Sequence, residues 1–280
     1  MRLESLFWSG MIVLAALGVR WESHDVLASA DADLSRGVVV ERFAARALEL
    51  RNLSGDLEIE SWSGTEVEVT LEGASDAVSL ISRQLEGGSL VVNGGALTRR
   101  VADKFAGIGS VSVFTTGGGS SQIIIGRNGL GRARTAPRAP LVTRVRLPAG
   151  LPITIRGQRG DVVSDDLAGP LVLELLQGTA AFGRIRDARL SLAGKGKISV
   201  REARGDLSVA LAGAGGVQVE TSYLERLEVG LTGNGTVDVG GRARFASLSL
   251  VGSGRIYVAE AERQPLVTRV GSGEVVVGAR

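Results

Sequence analysis

Apolar and polar residues alternate with a period of two along much of the chain, and from about residue 185 the alternation becomes a repeat. Each copy reads apolar-x-apolar-x-Gly-x-Gly-x-apolar-x-apolar and is followed by a polar corner. The second glycines of the five copies, which are 19 or 20 residues apart, are Gly196, Gly215, Gly235, Gly254 and Gly273. Because period two is typical of a strand with one buried face, each copy predicts two strands joined by a tight glycine bend.

A single coil of this kind cannot bury its apolar face alone, so the copies must stack on one another. The sequence therefore predicts an all-β fold, a parallel β-helix or β-solenoid with coils of about 19 residues. Glycine is expected at the bends because a residue there needs a positive φ and because stacked bends bring backbones close together. The inward residue four positions before the second glycine is Leu192, Leu211, Leu231 and Leu250 in the first four copies but Arg269 in the fifth.

Weaker copies of the pattern extend towards the N-terminus, with an interruption between the two regions. Alternating segments flank Gly55 and Gly160, as they flank the later bends. We interpret residues 36–105 as irregular β-solenoid coils, residues 106–140 as a Gly/Arg-rich loop or lobe, and residues 141–280 as the regular C-terminal coils. Residues 76–85 are expected to form a short helix or an irregular corner.

These motifs also carry a family resemblance. The segments VERF, LEL and GDLEI within residues 40–59, followed by the coils LAGKGKISV, LTGNGTVDV and LVGSGRIYV, resemble the auto-transporter adhesin head domain of the GIN-domain family. They are also similar to the related "toastrack" strand-repeat domains of bacterial envelope-stress proteins. The resemblance implies a right-handed β-helix in an exported bacterial protein. The family has no established catalytic residues, so it supplies no site residue to this chain.

The first 30 residues have the features of a secretory signal peptide. Residues 6–19 form a mostly apolar run of 14 residues, whereas about 20 residues are needed to cross a bilayer. Ala28, Ser29 and Ala30 provide a small-x-small cleavage site. We therefore predict export to the periplasm, the cell surface or the medium, with cleavage after Ala30. An uncleaved membrane anchor is the alternative interpretation.

Composition narrows the possible chemistry. The chain has no Cys, and its one His, His24, lies in the predicted signal peptide. A Ser-His-Asp triad, a thiol nucleophile and a His/Cys zinc site are therefore excluded from the mature chain. Asp161, Asp165 and Asp166 form the densest carboxylate cluster, but adjacent residues on a strand point to opposite faces. The Gly-x-Gly pairs precede strands, whereas a dinucleotide fingerprint precedes a helix. We predict no catalytic residue, no metal site and no cofactor.

Basic residues suggest one candidate contact surface. Residues 127–146 contain six Arg and no acidic residue. This charge favours contact with anionic lipids or glycans of the envelope; a solvated loop is the alternative. The candidate contact residues are Arg127, Arg132, Arg134 and Arg138. Nucleic acid is not an expected partner, since the chain is predicted to be exported and has few aromatic residues for stacking on bases.

The last coil, which ends near Val277, carries no polar or helical cap in the sequence. Solenoid ends normally need one. We expect this end either to meet another envelope protein or a second subunit, forming a homo-oligomer, or to be closed by Arg269.

Together these features favour a non-enzymatic exported β-solenoid that acts as an adhesion, interaction or envelope scaffold module. Two other functions stay open. One is a membrane-tethered partner domain of the envelope-stress type. The other is a polysaccharide-active enzyme with carboxylates and basic residues on the outer face of the same fold.

Overall fold

The computed structural model describes residues 36–95, 111–116, 120–125 and 141–278. The predicted signal peptide lies outside these residues. The strands, in chain order, are β1 (Arg36–Phe43), β2 (Ala47–Arg51), β3 (Asp56–Trp62), β4 (Val67–Ala74), β5 (Ser82–Glu86), β6 (Ser89–Asn93), β7 (Val111–Thr116), β8 (Ser120–Ile125), β9 (Val142–Pro148), β10 (Ile153–Arg159), β11 (Val162–Ser164), β12 (Pro170–Gly194), β13 (Gly196–Gly213), β14 (Gly216–Gly233), β15 (Thr236–Gly252), β16 (Arg255–Ala261), β17 (Leu266–Val270) and β18 (Glu274–Val277). A four-residue helix, α1 (Ser75–Val78), follows β4, and within the described ranges no helix has the length and apolar character to span a bilayer.

The protein is an all-β solenoid with coils of about 19 residues, as the repeat predicts. Strands before the bends form one parallel ladder, here called ladder A, which contains β6, β2, β10, successive parts of β12 to β15, and β17. Strands after the bends form ladder B, which contains β9, β3, β11, successive parts of β12 to β15, β16 and β18. The long strands β13 to β15 each run from ladder B, around a corner, into ladder A. Strand β12 starts in ladder A, crosses a bend at Gly178 into ladder B, and then turns the corner back into ladder A.

The predicted alignment of the five copies is confirmed residue by residue. In ladder B, one inward position is occupied on successive coils by Ile198, Val217, Val237, Ile256 and Val275, each paired with the next. The first four are at most 2% exposed. The core is therefore a continuous column of aliphatic side chains along the solenoid axis, and each buried aliphatic residue contributes about 1.5–3 kcal/mol of burial free energy.

The structure shows why the bends need two glycines. Gly233, the first glycine of its pair, has a φ of 121°, which L side chains rarely adopt. Gly235, the second, does not have a left-handed φ, but a Cβ there would lie 2.6 Å from the carbonyl oxygen of Gly215 on the preceding coil. The expectation of close stacking is met at both residues, because a Cβ on Gly233 would also lie 2.5 Å from the carbonyl oxygen of Gly213. The expectation of a positive φ is met only at Gly233.

The N-terminal coils stack out of chain order. In ladder B, β3 lies between β9 and β11, and in ladder A, β2 lies between β6 and β10. The coil formed by β2 and β3 therefore packs directly against the coil formed by β10 and β11. At this end of the solenoid, β1 pairs antiparallel with β4 and β5 pairs antiparallel with β6.

The region predicted as a Gly/Arg-rich loop or lobe, residues 106–140, contains β7 and β8. These two strands pair antiparallel in a two-stranded sheet of their own. The expectation for residues 76–85 is met by α1, whose residues Ala77 and Val78 are buried, followed by β5.

Candidate functional site

The carboxylate cluster singled out in the sequence fixes the backbone of neighbouring coils. Asp161 Oδ1 accepts hydrogen bonds from the backbone N–H and the hydroxyl of Thr179, at 2.9 and 2.8 Å. Asp166 Oδ1 accepts from the backbone N–H of Arg184 at 2.7 Å and from Arg201 Nη2 at 2.8 Å. These bonds join successive coils, so the two carboxylates have structural roles.

The pKa of Asp166 is lowered from its ordinary value. The backbone hydrogen bond from Arg184 is the main cause, and the nearby positive charges of Arg184 and Arg201 add to it, while partial desolvation opposes it. A carboxyl group held ionised in this way is a poor general acid at neutral pH. Within the described ranges, no group of three or more His, Cys, Asp or Glu side chains is placed to hold a metal ion.

The predicted anionic-contact residues Arg127, Arg132, Arg134 and Arg138 lie outside the described residues. The last two arginines of the same stretch, at positions 144 and 146, are in β9, between the acidic faces of β3 and β4. Arg144 contacts Glu58 at 2.6 Å and Glu72 at 3.0 Å, and Arg146 contacts Glu60 at 3.0 Å and Glu68 at 3.4 Å. Both are therefore neutralised by carboxylates of this sheet.

A different set of residues forms the candidate binding surface. After ladder B the chain turns a corner, and on successive coils the same outward corner position is occupied by Arg186, Arg204, Tyr223 and Arg242, each paired with the next. We call these four residues the arginine–tyrosine column. The corner is held from inside by buried side chains, among them Ile185, Ala203 and Ser222.

Tyr223 orders the two arginines beside it. The guanidinium carbon of Arg204 lies 5.7 Å from the centroid of the Tyr223 ring, and that of Arg242 lies 5.5 Å from it. Both distances are within the range of a cation–π interaction. The ring is thus flanked by a guanidinium from the preceding coil and another from the following coil, and 49% of Tyr223 remains exposed. It serves less as a platform for stacking a ligand than as a support that orients two cations.

Carboxylates at the edge of the column partly balance its charge. Glu202 accepts a hydrogen bond from Arg204 Nε and a longer one, 3.3 Å, from Arg184 Nε. The hydrogen bond from Arg204 is the main reason that the pKa of Glu202 is lowered. Arg242 is 3.9 Å from Glu262, at the limit of an ion pair. Because the side chains of Arg204 and Arg242 are still 56% and 58% exposed, their guanidinium groups are accessible to an anionic ligand.

The spacing of residues along the sequence predicts only part of this column. Arg204 and Tyr223 both occur eight residues after the second glycine of their bends, Gly196 and Gly215. Arg242 follows Gly235 by seven residues, and it aligns with Tyr223 only because the pairing of β14 with β15 shifts between Val219 and Tyr223. A search of the repeat for a conserved corner position would therefore have found two of these three residues.

Comparison with known proteins gives a limited result. No family model matches the sequence, and no curated protein matches it either. Among solved structures, the chain is similar to a "putative adhesin" from Bacteroides fragilis (10% identity, 86% of this chain and 97% of the other, TM-score 0.46). It is also similar to a "putative adhesin" from Parabacteroides distasonis (11%, 86% and 97%, TM-score 0.44) and a "putative lipid binding protein" from the same species (15%, 85% and 96%, TM-score 0.36). Identities this low do not carry a function over to this chain, and the GIN-domain resemblance stays a prediction.

Proposed function

We propose that this protein is an exported, non-catalytic interaction module, serving adhesion or envelope scaffolding, that binds acidic glycans through the arginine–tyrosine column. The observation that carries the proposal is the alignment of Arg204, Tyr223 and Arg242 on three successive coils, with the ring between two exposed guanidinium groups. Export is proposed from the apolar run at residues 6–19 and the small-residue site ending at Ala30.

A non-catalytic role is supported by how the described carboxylates are used. Asp161 and Asp166 accept hydrogen bonds from backbone N–H groups of the next coil, and the glutamates of β3 and β4 pair with arginines of β9. The core beneath them is filled by aliphatic side chains. A glycosidase needs two carboxyl groups facing each other across a sugar, and these groups instead serve as contacts between strands.

An acidic glycan fits the column for geometric reasons. Neighbouring coils are about 4.8 Å apart. Arg186 and Arg204 lie on adjacent coils, Arg204 and Arg242 lie two coils apart with Tyr223 between them, and Glu260 follows Arg242. Guanidinium groups bind carboxylate and sulfate groups in a planar, bidentate manner, with more energy than a neutral hydrogen bond provides. A linear polymer with a charged group on each sugar can lie along the solenoid and meet several cations at once.

The proposal is tested by measuring binding of the purified protein to polygalacturonate by titration calorimetry at low ionic strength, with neutral dextran as the uncharged comparison. We expect binding to polygalacturonate that weakens as salt is added. Arg204→Gln and Arg242→Gln should each reduce the affinity about tenfold or more, because each removes a charge-assisted contact of about 1.5–3 kcal/mol. Tyr223→Leu should reduce it several-fold, since the guanidinium groups lose about 0.5–1 kcal/mol of cation–π support.

Arg255→Gln is the matched control. Arg255 is an exposed arginine with an ion-pair partner, Glu274 at 2.9 Å, but it lies directly after a bend and outside the column. Its loss should leave binding unchanged. If Arg255→Gln and Arg204→Gln lowered the affinity equally, net charge alone would explain the loss, and the assignment of the binding site to the column would be overturned. Binding to phosphatidylglycerol vesicles but not to polygalacturonate would show that the bound anion is a lipid headgroup, and would overturn the proposal that the ligand is a glycan.

A further inference from the structure

The last described coil of the solenoid has open edges. Strand β17 pairs with β15 and β18 pairs with β16, and among the described residues no strand pairs with the other side of either one. Leu266, Val267 and Val270 of β17 are 68%, 44% and 59% exposed. An exposed apolar edge of this kind is a template for pairing with another chain.

Arg269 occupies the inward position of this last coil. It pairs with Leu250 of the preceding coil. Leu250 and its counterparts in the earlier coils, Leu192, Leu211 and Leu231, are at most 2% exposed. Among the described residues, no further coil stacks on this last one. It is here that a guanidinium replaces the inward aliphatic side chain.

The Arg269 side chain donates a hydrogen bond to a backbone carbonyl that, in the earlier bends, accepts from the following coil. The carbonyl oxygens of Gly215, Gly235 and Gly254, the second glycines of their bends, accept from the backbone N–H groups of the following coil at 3.0, 3.0 and 2.9 Å. The equivalent carbonyl in the last bend belongs to Gly273, and it accepts from Arg269 Nη1 at 3.2 Å. The guanidinium thus satisfies an acceptor that stacking would otherwise satisfy.

An arginine lies in a similar place at the opposite end. Arg83 of β5 pairs with Val92, and Glu41 of β1 pairs with Val69. Both valines are buried, and directly opposed side chains of an antiparallel pair share a face, so Arg83 and Glu41 face the core side. They form an ion pair with an Nε–Oε2 distance of 3.0 Å that links β5 to β1, the outermost strands at this end of the sheet. Each end of the described solenoid therefore carries an inward-facing arginine, on β17 at the end of ladder A and on β5, which pairs antiparallel with β6 at the other end of that ladder.

We propose that Arg269 is an end cap with two effects: it replaces the hydrogen bond of a following coil, and its charge prevents the open end from stacking on the same end of a second copy of this chain. Two stacked ends would place both guanidinium groups in an apolar junction, away from water and without carboxylate partners, which strongly disfavours association. The second copy is the occupant that fits, because the exposed edges and apolar residues of one end match those of an identical end. This inference stands independently of the glycan proposal.

Light scattering after size-exclusion chromatography tests the effect on association over a hundredfold range of protein concentration. We expect the wild type to be monomeric throughout, whereas Arg269→Leu, which restores the residue type of the other coils, should associate increasingly with concentration. Arg263→Leu is the control, because it makes the same substitution at an exposed position outside β17 and β18. Association of the wild type, or identical behaviour of Arg269→Leu and Arg263→Leu, would overturn this part.

Hydrogen exchange tests the capping bond separately. The amides of Glu274 and Gly278 hold β18 to the preceding coil by donating to Gly254 and Val258. Arg269→Ala removes the guanidinium donor without introducing a large apolar side chain. In this variant the two amides should exchange about tenfold faster than in the wild type, as expected for the loss of one charge-assisted hydrogen bond. Exchange at the wild-type rate would show that Arg269 does not cap the end.

Discussion

The bend glycines allow a sharp prediction about stability. In Gly235→Ala, the added Cβ would lie 2.6 Å from the carbonyl oxygen of Gly215 and 2.7 Å from Leu211 Cδ2. Both separations are well below van der Waals contact. One of the two atoms belongs to the backbone of the preceding coil, which is fixed by its own strand pairing. The strain can be relieved only by moving two coils apart.

The magnitude follows from two opposing effects. Overpacking of a filled site costs about 1–3 kcal/mol, and a rigid backbone neighbour favours the upper part of that range. Replacing Gly by Ala also reduces the entropy of the unfolded chain, which returns about 0.4–1 kcal/mol. We expect a net destabilisation of about 2 kcal/mol and a Tm lowered by about 4–8 °C.

Gly230→Ala provides the control on the same coil. Its added Cβ would have no neighbour nearer than the carbonyl oxygen of Val209 at 4.0 Å, and the φ of Gly230 is not left-handed. This variant should be as stable as the wild type or slightly more so. Thermal unfolding followed by circular dichroism distinguishes the two variants. If Gly235→Ala melted at the same temperature as Gly230→Ala, close stacking could not be the reason for the second glycine.

Two further predictions concern pH and export. Because the pKa of Asp166 is lowered in the folded state, its ionised form adds stability above its ordinary pKa of 3.8, and that stability is lost as the pH falls through the lower folded value. The Tm difference between the wild type and Asp166→Asn should therefore be largest near neutral pH and shrink below about pH 4. Asp165→Asn is the control, and a constant difference across this range would contradict the assignment. For export, N-terminal sequencing of the protein recovered from its native envelope should begin at Asp31; recovery of a chain that retains residues 6–19 would favour an anchor.

The regular coils were predictable because the sequence pattern that specifies them is local and is repeated in every coil. Alternation with period two decides which side chains face inward, and the spacing of 19 or 20 residues decides which of them meet. A shift of one residue would move every apolar side chain of a strand to the solvent face. For this reason the observed pairing of Ile198 with Val217 and of Val217 with Val237 could be read directly from the sequence.

The N-terminal stacking could not be obtained in this way. The alternation in β2 and β3 predicts two strands with one buried face each, and this is correct. It does not indicate that β3 lies between β9 and β11. Any coil with the same inward pattern could occupy that position, and the choice among them depends on how the whole stack fits together.

The candidate site also has a part that the sequence predicts and a part that depends on the fold. All four predicted contact residues, Arg127, Arg132, Arg134 and Arg138, lie outside the described residues, and their role stays a prediction. The arginine–tyrosine column depends on a local shift between β14 and β15 that moves Arg242 beside Tyr223. Such a shift leaves the apolar pattern almost unchanged, so periodicity alone cannot locate it.

The sequence by itself determined a cysteine-free β-solenoid with about 19 residues per coil, since hydrophobic burial acts on every repeat in the same way. It also identified Arg269 as the break in an aliphatic ladder. Only the tertiary structure decided what that break does, because the acceptor of its guanidinium, the Gly273 carbonyl, is defined by comparison with the stacked carbonyls of the earlier coils. Apolar ladders are specified by residue type, whereas polar contacts depend on the positions of individual atoms, and those positions are fixed only when the coils have stacked.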